Sequence, residues 1–168
     1  VESVWDNFNG KVNIIVGIGG NNTKKTLENG FKYSNFSDAF MVTVPYYNKP
    51  SQEGIYQHFA TISQLLESKS IMLYNVPSRC GVSASAETIS NLFNSFENIK
   101  AIKEASGSLS LAQDIINLCD ITVLSGDDSN TLPIMSVGGK GVVSVASNII
   151  PLELVTLVNY FKENKLKD

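Results

Sequence analysis

Six short apolar runs, each ending in polar residues and each followed by a helical pattern, limit what this chain can fold into more than any other feature. The runs cover residues 12–18, 39–44, 70–75, 99–103, 121–125 and 141–146. They are mostly apolar without strict alternation, the pattern of strands buried on both faces and hence of a parallel sheet. Helical patterns occupy residues 23–33, 51–66, 85–96, 108–118, 128–137 and 151–161. Ser85 opens one of them with an imperfect capping box through Glu87 and Thr88, and Pro151 opens the last at a position that proline tolerates. Six βα units in series predict a right-handed parallel α/β fold. Two architectures satisfy that prediction: an open doubly wound sheet and a closed (β/α)8 TIM barrel. Residues 17–22 read Gly-Ile-Gly-Gly-Asn-Asn and miss the G-x-G-x-x-G fingerprint of dinucleotide sites, which counts against the open sheet. A complete barrel takes about 250 residues, so a chain of 168 is two βα units short. The expectation is a single partial TIM-barrel domain over residues 1–168, with no internal linker.

Composition narrows the function. Hydrophobic residues make up 43% of the chain and charged residues 17%, the balance of a soluble globular protein. A formal net charge of -3 offers nothing to nucleic acid or to an anionic membrane. No apolar run reaches the roughly 18–20 residues that span a bilayer. The start, Val1-Glu2-Ser3-Val4-Trp5, has no signal-peptide pattern and no initiator Met. Cys80 and Cys119 have neither metal-ligand spacing nor the number for a disulfide framework. Free thiols in a reducing compartment, the cytoplasm, are expected.

In (β/α)8 barrels the chemistry sits at the C-terminal ends of the strands. Lys103 is the sharpest feature there. A lysine inside an apolar strand is costly unless paired or neutral; burial lowers its pKa, and a neutral amine can attack a ketone to form an imine. The alternative is a lysine solvated at the strand mouth or bridged to Glu104. Tyr74 is either a proton-relaying phenol or an amphipathic aromatic packed at the rim. Arg79 either clamps a carboxylate with two parallel hydrogen bonds or decorates a surface loop. Tyr46 and Tyr47 are neighbours, one expected to face in and the other out. Asp127 and Asp128 lack the further ligands a metal needs, so helix capping by one of them is expected. The single histidine, His58, sits mid-helix in a packing or surface position. Gly17, Gly19 and Gly20 either cradle an anion or let the chain turn tightly.

Pro45-Tyr46-Tyr47-Asn48-Lys49-Pro50, Tyr74-Asn75-Val76-Pro77-Ser78-Arg79 and Ile102-Lys103-Glu104-Ala105 together closely resemble the dihydrodipicolinate synthase family of pyruvate-dependent class I aldolases. Residues 17–23, 125–128 and 141–145 look like that family in the same order, so the resemblance covers nearly the whole chain. It implies a (β/α)8 barrel with a small helical C-terminal region. It also implies a lyase, without cofactor or metal, that condenses pyruvate with aspartate semialdehyde in lysine (diaminopimelate) biosynthesis. By that resemblance Lys103 forms the Schiff base, Tyr74 relays protons and Arg79 binds the semialdehyde carboxylate. Tyr47 completes the relay in a neighbouring subunit of a homodimer or homotetramer. Gly126 and Val143 line the pyruvate pocket, the latter through its backbone carbonyl. Tyr46 and Asn21 match positions near the family's lysine-feedback site.

Departures from the family pattern carry expectations of their own. The family's Gly-Thr-Thr-Gly-Glu motif is absent. In the register that makes residues 12–18 the third barrel strand, that motif precedes Val1 and the helical C-terminal region follows Asp168. The six units then correspond to barrel strands three to eight, and this stretch alone is expected to be inactive. Lys25 stands where lysine-sensitive members carry glutamate, so weak or absent feedback inhibition is expected. Cys80 stands where the family often has threonine, beside Arg79, and is expected to crowd or sensitise the site entrance. Two rival readings remain. N-acetylneuraminate lyase and keto-deoxy-sugar-acid aldolases share the lysine and the tyrosine, but they bind longer polyol chains, which Arg79 after Tyr-Asn-Val-Pro-Ser argues against. A non-catalytic truncated paralogue has no need of Lys103, Tyr74 and Arg79 together.

Overall fold

A computed structural model describes residues 1–165; the domain limit expected at Asp168 lies outside the described residues. Six parallel strands form one sheet in strict chain order: β1 (Ile15–Gly17), β2 (Ala39–Thr43), β3 (Ser70–Asn75), β4 (Ile99–Glu104), β5 (Thr122–Ser125) and β6 (Gly141–Val142). Helices α2 (Thr23–Tyr33), α3 (Gln52–Leu65), α5 (Ala86–Ser95), α6 (Leu109–Leu118), α7 (Thr131–Ser136) and α8 (Pro151–Lys162) follow the strands one by one. The order never reverses. A doubly wound sheet has a switch point where it does, so the arrangement is a curled half-barrel, consistent with a stretch of a (β/α)8 barrel. The sequence pattern misses α1 (Glu2–Phe8), which buries no residue, and the single turn α4 (Pro77–Cys80).

The helix starts are set by polar residues at the ends of the βα loops. Asn22, Ser51, Ser85 and Ser108 each accept a backbone N–H one turn into the helix, from Lys25, Gly54, Thr88 and Leu111, at 3.0–3.2 Å. At Ser85 the reach-back half of the capping box is replaced by Gln52 from α3. Its Oε1 accepts both Ser85 N–H at 2.9 Å and the Thr88 hydroxyl at 2.8 Å.

The core lies between sheet and helices. Phe40, Val42, Ile71, Leu73, Ile99, Ile102 and Val123 from the strands meet Ile55, Phe59, Ile62, Ile89, Leu92 and Ile115 from the helices, all of them at most 2% exposed. Each such side chain contributes about 1.5–3 kcal/mol relative to exposure. The other strand face carries Met41, Thr43, Tyr74, Ala101, Lys103 and Leu124. β4 contains one irregularity. Ile71 pairs with Ile99 and Met72 pairs with Ala101, so Lys100 is bulged out of the ladder.

Both edge strands are shorter than the sequence predicts. At β1 the Ile14 N–H is taken by the Asp38 carboxylate at 2.7 Å rather than by a strand. β6 pairs for two residues with β5. The Asp128 carboxylate then draws the chain into a 3-10 turn, Ala146–Asn148.

Candidate active site

Parallel pairing places one residue from each of β2 to β6 at the same height. Thr43 pairs with Tyr74, Tyr74 with Lys103, Lys103 with Leu124, and Leu124 with Gly141. This row lines the concave face just below the strand ends. The ladder continues above it through Val44 N–H to Tyr74 O, Ala105 N–H to Asn75 O, Gly126 N–H to Glu104 O and Val143 N–H to Ser125 O, at 2.8–3.0 Å. The mouth is therefore built on paired backbone and not on free loops.

Lys103 is 9% exposed, and its Nζ lies 4.2 Å from the centroid of the Tyr74 ring. The expected alternative, a bridge to Glu104, does not form. Successive residues on a strand face opposite ways, and Glu104 points under the helices. Among the described residues the ion pairs are Lys25 with Glu28 and Lys165 with Glu163, neither of which involves Lys103. Desolvation lowers the Lys103 pKa, and the Asp128 charge opposes that shift. Desolvation likewise raises the Tyr74 phenol pKa, against the pull of the Arg79 cation. The pair is an amine shifted toward its neutral form beside a phenol that keeps its proton, a combination able to form and protonate a carbinolamine.

Gly126 shapes the amine's path. A Cβ there would lie 3.0 Å from both Cγ and Cε of Lys103 and 2.6 Å from Cβ of Ala105. Gly126 has no positive φ, so close approach and not conformation is what glycine supplies. Val143, just past β6, has its N–H bound to Ser125 O. Gly19 similarly lets the end of β1 press against Thr43, whose backbone N and Oγ1 a side chain would strike. Packing, rather than anion binding, accounts for that glycine.

Arg79 is exposed in the one-turn helix α4, with Gly81 in the left-handed conformation behind it. Cys80, expected at the entrance, instead turns inward. It is 2% exposed, burial raises its pKa, and its thiol donates to Val44 O at 3.3 Å. The Cys80 carbonyl accepts the Tyr47 N–H at 3.2 Å, so the Arg79 turn and the Tyr47 turn are joined.

Tyr46 and Tyr47 do not divide between inside and outside; they are 43% and 86% exposed. The reason is a turn in place of a strand. Asn48 N–H bonds Tyr46 O at 2.8 Å across Tyr47, whose φ is +71°, a strained three-residue turn. The same turn meets Asn21, whose carbonyl accepts the Asn48 side-chain amide at 2.9 Å. Asn21, after β1, thus lies against the turn after β2 that contains Tyr46.

Asp127 and Asp128 do not cap the helix that follows them. Asp128 Oδ2 accepts the N–H groups of Val145 and Ala146 at 3.2 and 3.0 Å, latching the β6 exit to the β5 exit. Asp127 accepts the Asn130 amide at 3.2 Å. His58 is 5% exposed, with Nδ1 2.8 Å from the Thr23 hydroxyl, and desolvation lowers its pKa to about 4. Among the described residues no cluster of three or more His, Cys, Asp or Glu could hold a metal. None of their helices is long and apolar enough to cross a membrane. Two apolar grooves run along α8, and Lys103, Tyr74 and Arg79 line neither.

A sequence model described as the Dihydrodipicolinate synthetase family matches residues 1–168. A 4-hydroxy-tetrahydrodipicolinate synthase from Methanococcus aeolicus is 47% identical over 160 residues, which cover 95% of this chain and 55% of the relative. The 4-hydroxy-tetrahydrodipicolinate synthase 1 of Halalkalibacterium halodurans is 48% identical over 161 residues, covering 94% and 54%. A crystal structure of dihydrodipicolinate synthase superposes with a TM-score of 0.94 at 44% identity, over 97% of this chain and 57% of that one. The corresponding figures for the enzyme from Aquifex aeolicus are 0.91 and 39%, over 95% and 55%. The chain thus spans little more than half the length of the relatives it matches.

Proposed function

The chain belongs to the dihydrodipicolinate synthetase family, and on that premise we propose that it supplies the imine-forming part of a lyase condensing pyruvate with aspartate semialdehyde. The observation that carries the proposal is the Lys103 amine, nearly sealed from water, without an acidic partner in ion-pair range, and 4.2 Å from the Tyr74 ring.

The steps follow from that arrangement. The Lys103 Nζ lone pair attacks the keto carbon of pyruvate, and the carbinolamine loses water to give a protonated imine. That cation draws electrons from the adjacent methyl, which gives up a proton to leave an enamine. The enamine carbon attacks the aldehyde carbon, whose oxygen takes a proton. Tyr74 is the proton carrier at each transfer, and its raised pKa keeps it a donor at neutral pH. Arg79 holds the second substrate's carboxylate at the mouth, so that attack becomes effectively intramolecular. Gly126 and the Val143 carbonyl bound the keto-acid pocket. Support for these roles comes from the shared row of Tyr74 and Lys103, and from the close fit of Gly126 against the lysine.

Tyr47 acts on a second copy in a homodimer or homotetramer. Its support is a ring 86% exposed on a strained turn. Residues 1–168 act as one domain covering barrel strands three to eight, which agrees with the share of the relatives that they span. We place the protein in the cytoplasm, in keeping with its two free thiols. Lysine inhibition is weak or absent, because Lys25 at the rim pairs with Glu28 at 3.0 Å where the family's glutamate would stand.

Borohydride reduction of the natural full-length protein with pyruvate, followed by peptide mapping, tests the proposal. Label on the peptide holding Lys103, and turnover with aspartate semialdehyde over sugar acids, is the expected result. Turnover without a labelled lysine rejects the chemistry, turnover only with sugar acids reassigns the substrate, and no activity at all favours a non-catalytic paralogue.

A further inference from the structure

Directly above the Tyr74–Lys103 row, on the side facing the helices, the next row is polar and buried. Asn75, Glu104 and Ser125 are paired in register and at most 1% exposed. Burying a carboxylate is costly, and among the described residues no ion pair reaches Glu104. Its oxygens are instead satisfied by two N–H groups: Oε1 by Ser106 N–H at 2.6 Å and Oε2 by the Asn75 side-chain amide at 2.9 Å. The Asn75 Oδ1 in turn accepts Ala84 N–H at 3.1 Å, and its amide lies 3.2 Å from the Ser83 hydroxyl. Asn75 immediately follows Tyr74, Glu104 immediately follows Lys103, and residues 83–84 close the loop that carries Arg79. One chain of hydrogen bonds therefore ties together the three segments that hold the three candidate site residues, without entering the site.

We propose that Glu104 and Asn75 are positioning residues, a buried acceptor–donor relay that fixes the Arg79 loop and the Tyr74–Lys103 pair relative to one another from behind the sheet. The kinetic part of this inference rests on the Schiff-base reading above; the polarity of the relay does not. That polarity is fixed end to end. In Glu104→Gln the new amide must face either Ser106 N–H or the Asn75 amide. Flipping Asn75 to receive it only turns the Asn75 amide against Ala84 N–H, so a donor faces a donor in every arrangement. In Asn75→Asp two carboxylates meet. The exchange Asn75→Asp with Glu104→Gln satisfies every partner again: Ala84 N–H and the Ser83 hydroxyl donate to the aspartate, the glutamine amide donates to it as well, and the glutamine carbonyl accepts Ser106 N–H.

The test is a double-mutant cycle on the full-length protein, read by borohydride-trapped pyruvate imine and by kcat and KM for aspartate semialdehyde. Each single variant is expected to retain the Lys103 imine but to lose roughly ten- to hundredfold in kcat/KM for the aldehyde, the scale of a displacement near 1 Å. The exchange is expected to return within a few-fold of wild type. Folded single variants with wild-type kinetics overturn the proposal, as does a folded exchange variant that recovers neither stability nor kcat/KM. If the singles do not fold, the exchange alone decides by the same measures. Wild type that traps no keto acid counts against the Schiff-base reading and not the relay. Melting temperature then carries the cycle, and failure of the exchange to recover what both singles lose rejects it.

Discussion

Replacing Gly126 by alanine tests the site where its tolerances are smallest. The added methyl would stand 2.6 Å from the Ala105 Cβ and 3.0 Å from the Cγ and Cε of Lys103. Carbon atoms prefer separations of about 3.5–4.0 Å, so something must yield by about 1 Å. The Ala105 methyl is fixed to the backbone, and Lys103 Cγ is only two bonds from its own Cα; neither can swing clear. Overpacking of this kind costs about 1–3 kcal/mol, or a melting temperature lower by a few degrees. The lysine chain takes up part of the strain by moving its amine off the Tyr74 face, and a misplacement near 1 Å slows attack by about ten- to hundredfold. Stopped-flow or quenched borohydride trapping with pyruvate gives the rate, and thermal unfolding gives the stability. Ala105→Gly in the same background removes the shorter contact but leaves both contacts with Lys103. Stability should then recover in part while imine formation stays slow. Gly126→Ala with wild-type trapping rate and unchanged melting would refute the claim that this glycine sets the amine's position.

Three other outcomes are expected. Desolvation lowers the Lys103 pKa and the Asp128 charge opposes it. Asp128→Asn therefore lowers it further, and the rising limb of imine formation with pH moves to lower pH; a limb that stays in place contradicts this coupling. His58 titrates at about 4 when folded against 6.5 when exposed. The unfolded chain thus binds more protons across that window, and stability present above pH 6.5 is lost as pH falls toward 4, by about 3 kcal/mol. Urea titrations should show that slope and show it flattened in His58→Phe. Tyr47→Gly relieves a left-handed backbone costing about 1–2 kcal/mol against a glycine entropy cost of about 0.5–1. Melting should hold or rise while turnover and self-association fall, and a clear loss of stability would place the ring inside the fold.

Much of the fold is legible because buried parallel strands write themselves as apolar runs. β3 and α2 come out with the bounds that the pattern gives, and the capping serines mark where α3, α5 and α6 begin. The edges are misread because pairing, not composition, ends a strand. Residues 143–146, Val-Ser-Val-Ala, remain mostly apolar, yet a carboxylate from residue 128 folds them into a turn. Lys103 and Tyr74 are legible as polar residues at strand ends. The inward turn of Cys80 and the outward turn of both Tyr46 and Tyr47 are not, since each depends on a backbone turn that no periodicity announces. Glu104 is the instructive case. Its neighbour in sequence suggests an ion pair, whereas strand geometry sends the two side chains to opposite faces and gives the acid a partner 29 residues away.

The bulge at Lys100 settles a matter of parity. Ile99 and Lys103 are an even number of positions apart, so an unbroken strand would send both the same way: either the isoleucine would leave the core or the amine would be entombed beneath the helices. One unpaired residue at the foot of the strand changes even to odd and lets the base answer to packing while the top answers to chemistry. The two ends of β4 can therefore drift independently under mutation, so long as that single miscount in the ladder is kept.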